Sequence, residues 1–233
     1  MTAELSAYVP ESRFGKWFLR TDIWETRVLD VAIADLDKMI DGRASSYPVI
    51  VDVGCGAGQS LRRLRDRFSP ELIVGIDIDS DMLELSAAEA RKRELPVHLL
   101  LGTSAEIALA DESVDMLFCH QTFHHLPYQE DAIREFYRIL KPGGLLLFAE
   151  STRKFIHSWV IRLLFRHPMD VQKSAGEYCA FIEKAGFACS ANAISYPYLW
   201  WSRTDLGLRE KLTGRGSPAG REETLLNLVA VKL

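Results

Sequence analysis

The run Val49-Ile50-Val51-Asp52-Val53, followed at once by Gly54-Cys55-Gly56-Ala57-Gly58, limits the fold of this chain more than any other segment. An almost unbroken apolar stretch with no polar alternation suits a strand covered on both faces. The glycines behind it permit a tight turn, and the residues that follow are helical in period, with Leu61, Leu64 and Phe68 on one side. A strand that turns through glycines into a helix is the opening unit of a parallel α/β sheet. Arg62, Arg63, Arg65 and Arg67 then read as the helix's solvated face.

The alternation continues down the chain. Strands are expected at 72–76, 97–101, 114–119 and 145–149, with a helix over about 80–93 and another carrying Ile133, Phe136, Tyr137 and Leu140. Lys141-Pro142-Gly143-Gly144 should close that second helix. Ser174 and Glu177 have capping-box spacing at the start of a helix with Tyr178, Phe181, Ile182 and Ala185, and Gly186 stands at its end. Ahead of the first strand, Asp22 and Glu25 open a helix with Trp24, Val28, Val31, Ala32, Leu36, Met39 and Ile40 on one face, ended by Gly42. Near the C-terminus, 187–196 and 225–231 read as strands without a clear crossover helix between them, so they should pair antiparallel. The pattern as a whole predicts a parallel sheet with helices on both faces.

At 233 residues and 48% hydrophobic content, the chain suits one full α/β domain and is short for two. A single domain over 1–233 is expected, with an N-terminal helical cap at 1–44, a core at 45–150 and a substrate-shaping part at 151–233. The net charge of −4, with both signs mixed along the chain, argues for a small-molecule substrate and against a nucleic-acid partner. Residues 1–17 lack a basic segment followed by an apolar core, and no run approaches the roughly 18 apolar residues of a membrane span. A cytoplasmic protein without an integral membrane segment is expected. Cys55, Cys119, Cys179 and Cys189 show no C-x-x-C spacing and read as reduced thiols.

A glycine turn behind the first strand lies at the carboxyl edge of the sheet, where open α/β folds bind ligands. The dinucleotide fingerprint G-x-G-x-x-G would need glycine at position 59, but Gln59 stands there and the third glycine comes one residue early, at Gly58. Asp77 ends the second strand at the same edge, placed to accept hydrogen bonds from vicinal ribose hydroxyls. Asp52 is more selective, because a carboxylate beside the loop opposes a pyrophosphate and favours a ligand with cationic groups.

With these residues in view, the chain resembles the class I S-adenosylmethionine-dependent methyltransferases from about residue 47 onward. VDVGCGAG matches the family's first motif, GIDIDSDML its second-strand acid, and GTSAEIALADESVDMLF its third region. HQTFHHLPYQEDAIREFYRILKPGGLLLFAE matches the fourth and fifth, in the manner of ubiquinone and menaquinone biosynthesis methyltransferases. The resemblance implies a Rossmann-like three-layer sandwich whose seven-stranded, mostly parallel sheet has an antiparallel last strand. It implies S-adenosyl-L-methionine as cofactor, with Asp52 and the backbone from Gly54 through Cys55 and Gly56 to Gly58 at the methionine end. Asp77 falls at the ribose, Ile78 at the adenine, and Met82 and His120 beside the cofactor. The family often has an acid after the glycine of its third region; here Gly102 is followed by Thr103 and Ser104, whose hydroxyl or backbone groups would take that place.

Methyl transfer needs an acceptor held in line behind the methyl carbon, and a base where that acceptor is a hydroxyl. His124 and His125 stand at the right sheet edge, either as that base or as residues that orient the loop. Cys119, His120 and His124 have no further ligand at zinc spacing, and no metal is expected. Where relatives acting on amino groups of nucleic acids or glutamine carry Asn or Asp before Pro-Pro, this chain has His-Gln-Thr-Phe, which favours an oxygen or carbon acceptor. Phe14, Trp17, Phe18 and Trp24 could lie over the pocket. Phe155, Ile156, Trp159, Val160, Leu163 and Leu164 form a second stripe that suits a lid, a buried helix or a membrane-facing surface. Tyr196, Tyr198, Trp200 and Trp201 add a third cluster, and together these favour an apolar or aromatic acceptor. Two alternatives remain open at this stage: a non-catalytic module that binds the same cofactor, and a nicotinamide-dependent oxidoreductase.

Overall fold

A computed structural model describes residues 9–42, 44–203, 212 and 223–233. The side chain of Trp200, the N-terminal residues 1–8 and most of the connection before the final strand lie outside the described residues. Strands form at Val49–Val53 (β1), Leu72–Asp77 (β2), Val97–Leu101 (β3), Val114–His120 (β4), Leu140–Ser151 (β5), Phe187–Ser195 (β6) and Leu225–Lys232 (β7). They make one sheet in the order β3-β2-β1-β4-β5-β7-β6. Neighbours from β3 through β5 are parallel, and β7 runs antiparallel to both β5 and β6. The chain moves one way from β1 to β2 and β3 and the other way to β4 and β5. The switch point therefore falls at the carboxyl ends of β1 and β4.

Helices form at Arg13–Phe18 (α1), at Gln59–Phe68 (α3), Ser80–Lys92 (α4), Gln129–Ile139 (α5), Arg153–Ile156 (α6), Trp159–Leu164 (α7) and Ala175–Lys184 (α8). Between α1 and β1, α2 runs through Asp22–Trp24, a π-helical turn at Glu25–Leu29, and Asp30–Met39. Successive strand residues point to opposite faces of the sheet. Ile50, Met116 and Phe118 pack with Leu36 of α2 and Leu61 and Leu64 of α3, whereas Val51, Leu117 and Cys119 pack with Phe136 of α5 and Tyr178 of α8. The three-layer sandwich expected from the sequence is the observed architecture.

Five local expectations are corrected. The cap of α2 is Thr21, whose side chain accepts from Trp24 N, in place of the Asp22/Glu25 box. The π turn then adds a residue to the helical period, so Leu29 and Ile33 join the buried face. Lys141 to Gly144 does not separate α5 from β5 but lies inside the strand, and the pairing jumps from Val114↔Leu140 to Met116↔Leu145 across it. The stripe at 155–164 is two short helices: Phe155, Ile156 and Ile161 join a small cluster with Phe165, Met169 and Trp201, while Trp159 and Leu163 stay exposed. Arg63 leaves the solvated face of α3 to pair with Glu25 and Asp30 of α2, fixing that helix against the next.

Candidate active site

At the switch point lies a cleft of about 210 Å³, walled by the β1 loop, the end of β2, the turn after β4 and the N-terminal helices. The three glycines of the loop have separate tasks. Gly54 has φ of +72°, and a Cβ there would collide with Thr122 of the β4 turn. Gly56 has φ of +53° and faces the open cleft, so a Cβ would meet nothing within 4 Å. Gly58 caps α3 at φ +83°, and a Cβ would come 2.7 Å from Ser86 Oγ on α4. It does not line the cleft with the rest of the loop; its role is close helix packing.

Two carboxylates flank the loop. Asp77 accepts from Gly56 N at 2.8 Å and Asp79 N at 2.9 Å, and burial raises its pKa. The buried Asp52 accepts from Ser60 Oγ. Burial pushes its pKa up to about 7 against that hydrogen bond, and the neighbouring Asp77 charge adds to the rise. A carboxyl balanced in this way gains most from a cationic neighbour. Cys55, Ile78, Met82, Thr103 and Ser104 also line the cleft, and Thr103 Oγ1 accepts from Ala105 N at 3.1 Å.

The three histidines of the β4 end diverge. His120 stacks on Phe118 with centroids 5.7 Å apart, and touches Trp24 from α2. Burial lowers its pKa to about 3, and its buried Nε2, on the cleft wall, has no hydrogen-bond partner among the described residues. His125 also lines the cleft, and burial and the adjacent His124 hold it well below its ordinary pKa. His124 turns away from the cleft, and its Nδ1 lies 2.5 Å from Glu150 Oε2. Between these residues Gln121 takes a left-handed φ of +51°, a conformation that costs about 1 kcal/mol or more and often marks working sites.

Sequence reasoning missed Glu150 because an acid at the end of an apolar strand has no periodicity to mark it. The carboxylate is fully buried and also accepts from Thr122 N and Phe123 N at 2.8 and 2.7 Å. His167, from the loop after α7, was missed as well. Of the four N-terminal aromatics expected over the pocket, Trp24 lines the cleft, beside Leu19 and Arg20, while Phe14 and Phe18 pack on Phe165. Lys16 pairs with Asp79 at 2.7 Å and Gln59 Nε2 donates to Leu19 O at 2.8 Å, tying this segment over the loop. Trp17 faces outward.

Residues 51–148 match a family described as a methyltransferase domain. Malonyl-[acyl-carrier protein] O-methyltransferase 1 of Coxiella burnetii is 30% identical over 131 residues, covering 54% of this chain and 43% of that protein. Demethylmenaquinone methyltransferase of Listeria welshimeri is 29% identical over 126 residues, covering 52% and 53%. The chain thus spans about half the length of the curated relatives it matches. In fold it is similar to a chain of the Haloferax volcanii complex that contains the Trm112 methyltransferase activator, with a TM-score of 0.68 at 22% identity over 94% of this chain and 95% of that one. The matched segment runs from β1 into β5 and so carries the loop, both acids and the β4 turn, and over this segment the chain is similar to methyltransferase domains.

Proposed function

We propose that the protein transfers the methyl group of S-adenosylmethionine to an oxygen or carbon of a small apolar or aromatic acceptor. The observation that carries this reading is the cleft itself, which pairs the buried Asp52 and the half-buried Asp77 with an open Gly56 backbone and, under an aromatic cover, a His120 Nε2 without a partner among the described residues. The cofactor fits these groups: Asp77 offers acceptors to vicinal hydroxyls, Asp52 favours a cationic end, and Gly56 admits close approach. When bound, it supplies a methyl group on a sulfonium, already a good leaving group. What remains for the chain is positioning and exclusion of water. Trp24, Leu19 and the strapped N-terminal segment close the cleft, and Leu126 and Tyr128 give its far wall an apolar character that suits such an acceptor. His125 lines the cleft beside His120, uncharged at neutral pH and able to accept a hydrogen bond from an acceptor hydroxyl. The name of the Coxiella relative, an O-methyltransferase, supports an oxygen acceptor.

Calorimetry against S-adenosylhomocysteine and against NAD tests the cofactor, with binding of the first alone expected. Asp77→Ala should weaken S-adenosylhomocysteine by at least about tenfold, or ~1.4 kcal/mol; an unchanged affinity would show that Asp77 does not hold the ribose. A panel of phenols, quinones, hydroxy acids and acyl thioesters, read by S-adenosylhomocysteine release, tests turnover. No release from any of them would favour a binding module.

A further inference from the structure

Behind the cleft wall, three imidazoles from two distant segments meet. His124 and His125 sit in the short 3-10 turn Phe123–His125 after β4, and His167 enters from the loop after α7. Ring centroids are 4.3 Å apart for His124 and His125, 4.7 Å for His125 and His167, and 5.1 Å for His124 and His167. One ring nitrogen from each lies within 4.8 Å of the others. Three nitrogens on a tetrahedral zinc ion, at about 2.0–2.1 Å each, would stand roughly 3.4 Å apart. Small side-chain rotations close that difference.

Two further observations mark this as a built site. Glu150 holds His124 by Nδ1, which leaves Nε2 as the nitrogen free to ligate; a carboxylate behind a histidine is the usual outer-shell support of a metal ligand. Among the described residues no lysine or arginine pairs with Glu150; this fully buried carboxylate faces the His124 imidazole, two backbone amides and the Cys119 thiol. The loop of His167 is also clamped: the buried Gln172 donates from Nε2 to His124 O at 2.8 Å and to Pro168 O at 2.7 Å. That single amide joins the carbonyl of one histidine to the residue next to another.

We propose that His124, His125 and His167 form a site for one divalent transition-metal ion, zinc by the chemistry of three imidazoles, with Glu150 orienting His124 and Gln172 positioning the loop of His167. Three protein ligands leave a fourth position open. Because His125 also lines the cleft, the ion and the acceptor share a wall. An acceptor hydroxyl bound at that position would release its proton to solvent at a lower pH than in water; this consequence alone rests on the methyl-transfer reading.

The test is cobalt(II) and zinc(II) titration of the full, tag-free chain after chelator dialysis, read by visible absorption, calorimetry and elemental analysis, with neither cofactor nor acceptor present. The expected result is one equivalent and a tetrahedral cobalt spectrum. His167→Ala should abolish that spectrum, and Glu150→Gln, which keeps acceptors for the Thr122 and Phe123 amides, should weaken the metal about 10–100-fold. Binding of less than one equivalent by the wild-type chain, or equal binding by His167→Ala, would overturn the site. S-adenosylhomocysteine affinity measured on the same samples reports separately on the methyl-transfer reading. A variant that loses metal but keeps that affinity is folded, so its result counts.

Discussion

Asp52 shows how a single buried group couples stability to binding. An unfolded aspartate has a pKa of about 3.9, whereas burial in the folded chain pushes this one up to about 7. Between those values the folded chain keeps a proton that the unfolded chain has released, so stability falls as pH rises through the window and levels off above it. Asp52→Asn should therefore melt several degrees above wild type at pH 8, at about 2–4 °C per kcal/mol, with the gap closing near pH 4. The same variant should bind S-adenosylhomocysteine more weakly. A scan that finds no gap at pH 8 would mean the carboxylate is better solvated than its burial implies. The loop glycines separate in the same way. Gly56→Ala should keep the fold at a cost of about 1 kcal/mol for its left-handed backbone while weakening the cofactor, because its new methyl points into the cleft. Gly58→Ala should lower the melting temperature more, because its Cβ meets Ser86. The glycines and both acids were legible from spacing alone, but the division of labour among them was not. It depends on what each missing Cβ would touch.

At the scale of elements, local rules worked where the signal was local. The Ser174/Glu177 box forms as expected, with Ser174 Oγ accepting from Glu177 N and the Glu177 carboxylate accepting from Ser174 N. They failed at the π turn of α2 and at the split stripe at 155–164. The N-terminal helix α1 is the telling case. With six residues it is too short to persist alone. It is held because Ser12 Oγ accepts from Gly15 N at 2.9 Å and donates to Leu164 O at 2.7 Å, joining its cap to the end of α7. Ser12→Ala should raise the S-adenosylhomocysteine dissociation rate several-fold in stopped-flow measurements while shifting the melting temperature by no more than a few degrees. Equal loss of both would mean that α1 is part of the core and not a cover.

For the whole molecule, the sheet order carries a consequence for folding. The last strand, β7, is internal: it pairs with β5 on one side and β6 on the other, and among the described residues β6 pairs with nothing else. Its Lys232 is nearly buried, donating to Leu140 O at 2.8 Å and lying over the Tyr137 ring at 4.8 Å. A chain truncated before residue 224 should fail to give a cooperative melt by circular dichroism, while one lacking only Leu233 should melt like wild type; a cooperative transition in the shorter chain would show that five parallel strands suffice. What the sequence by itself determined is the strand and helix alternation, the glycine turn at its switch point, and the two acids that stand beside that turn. These follow from hydrophobic period, backbone freedom and charge, all of which act between near neighbours in the chain. Only the tertiary structure decided that Glu150 backs His124, that His167 completes a triad of imidazoles, and that α1 covers the cleft. Those contacts join segments far apart in sequence, and nothing in the local pattern of either partner encodes where the other will arrive.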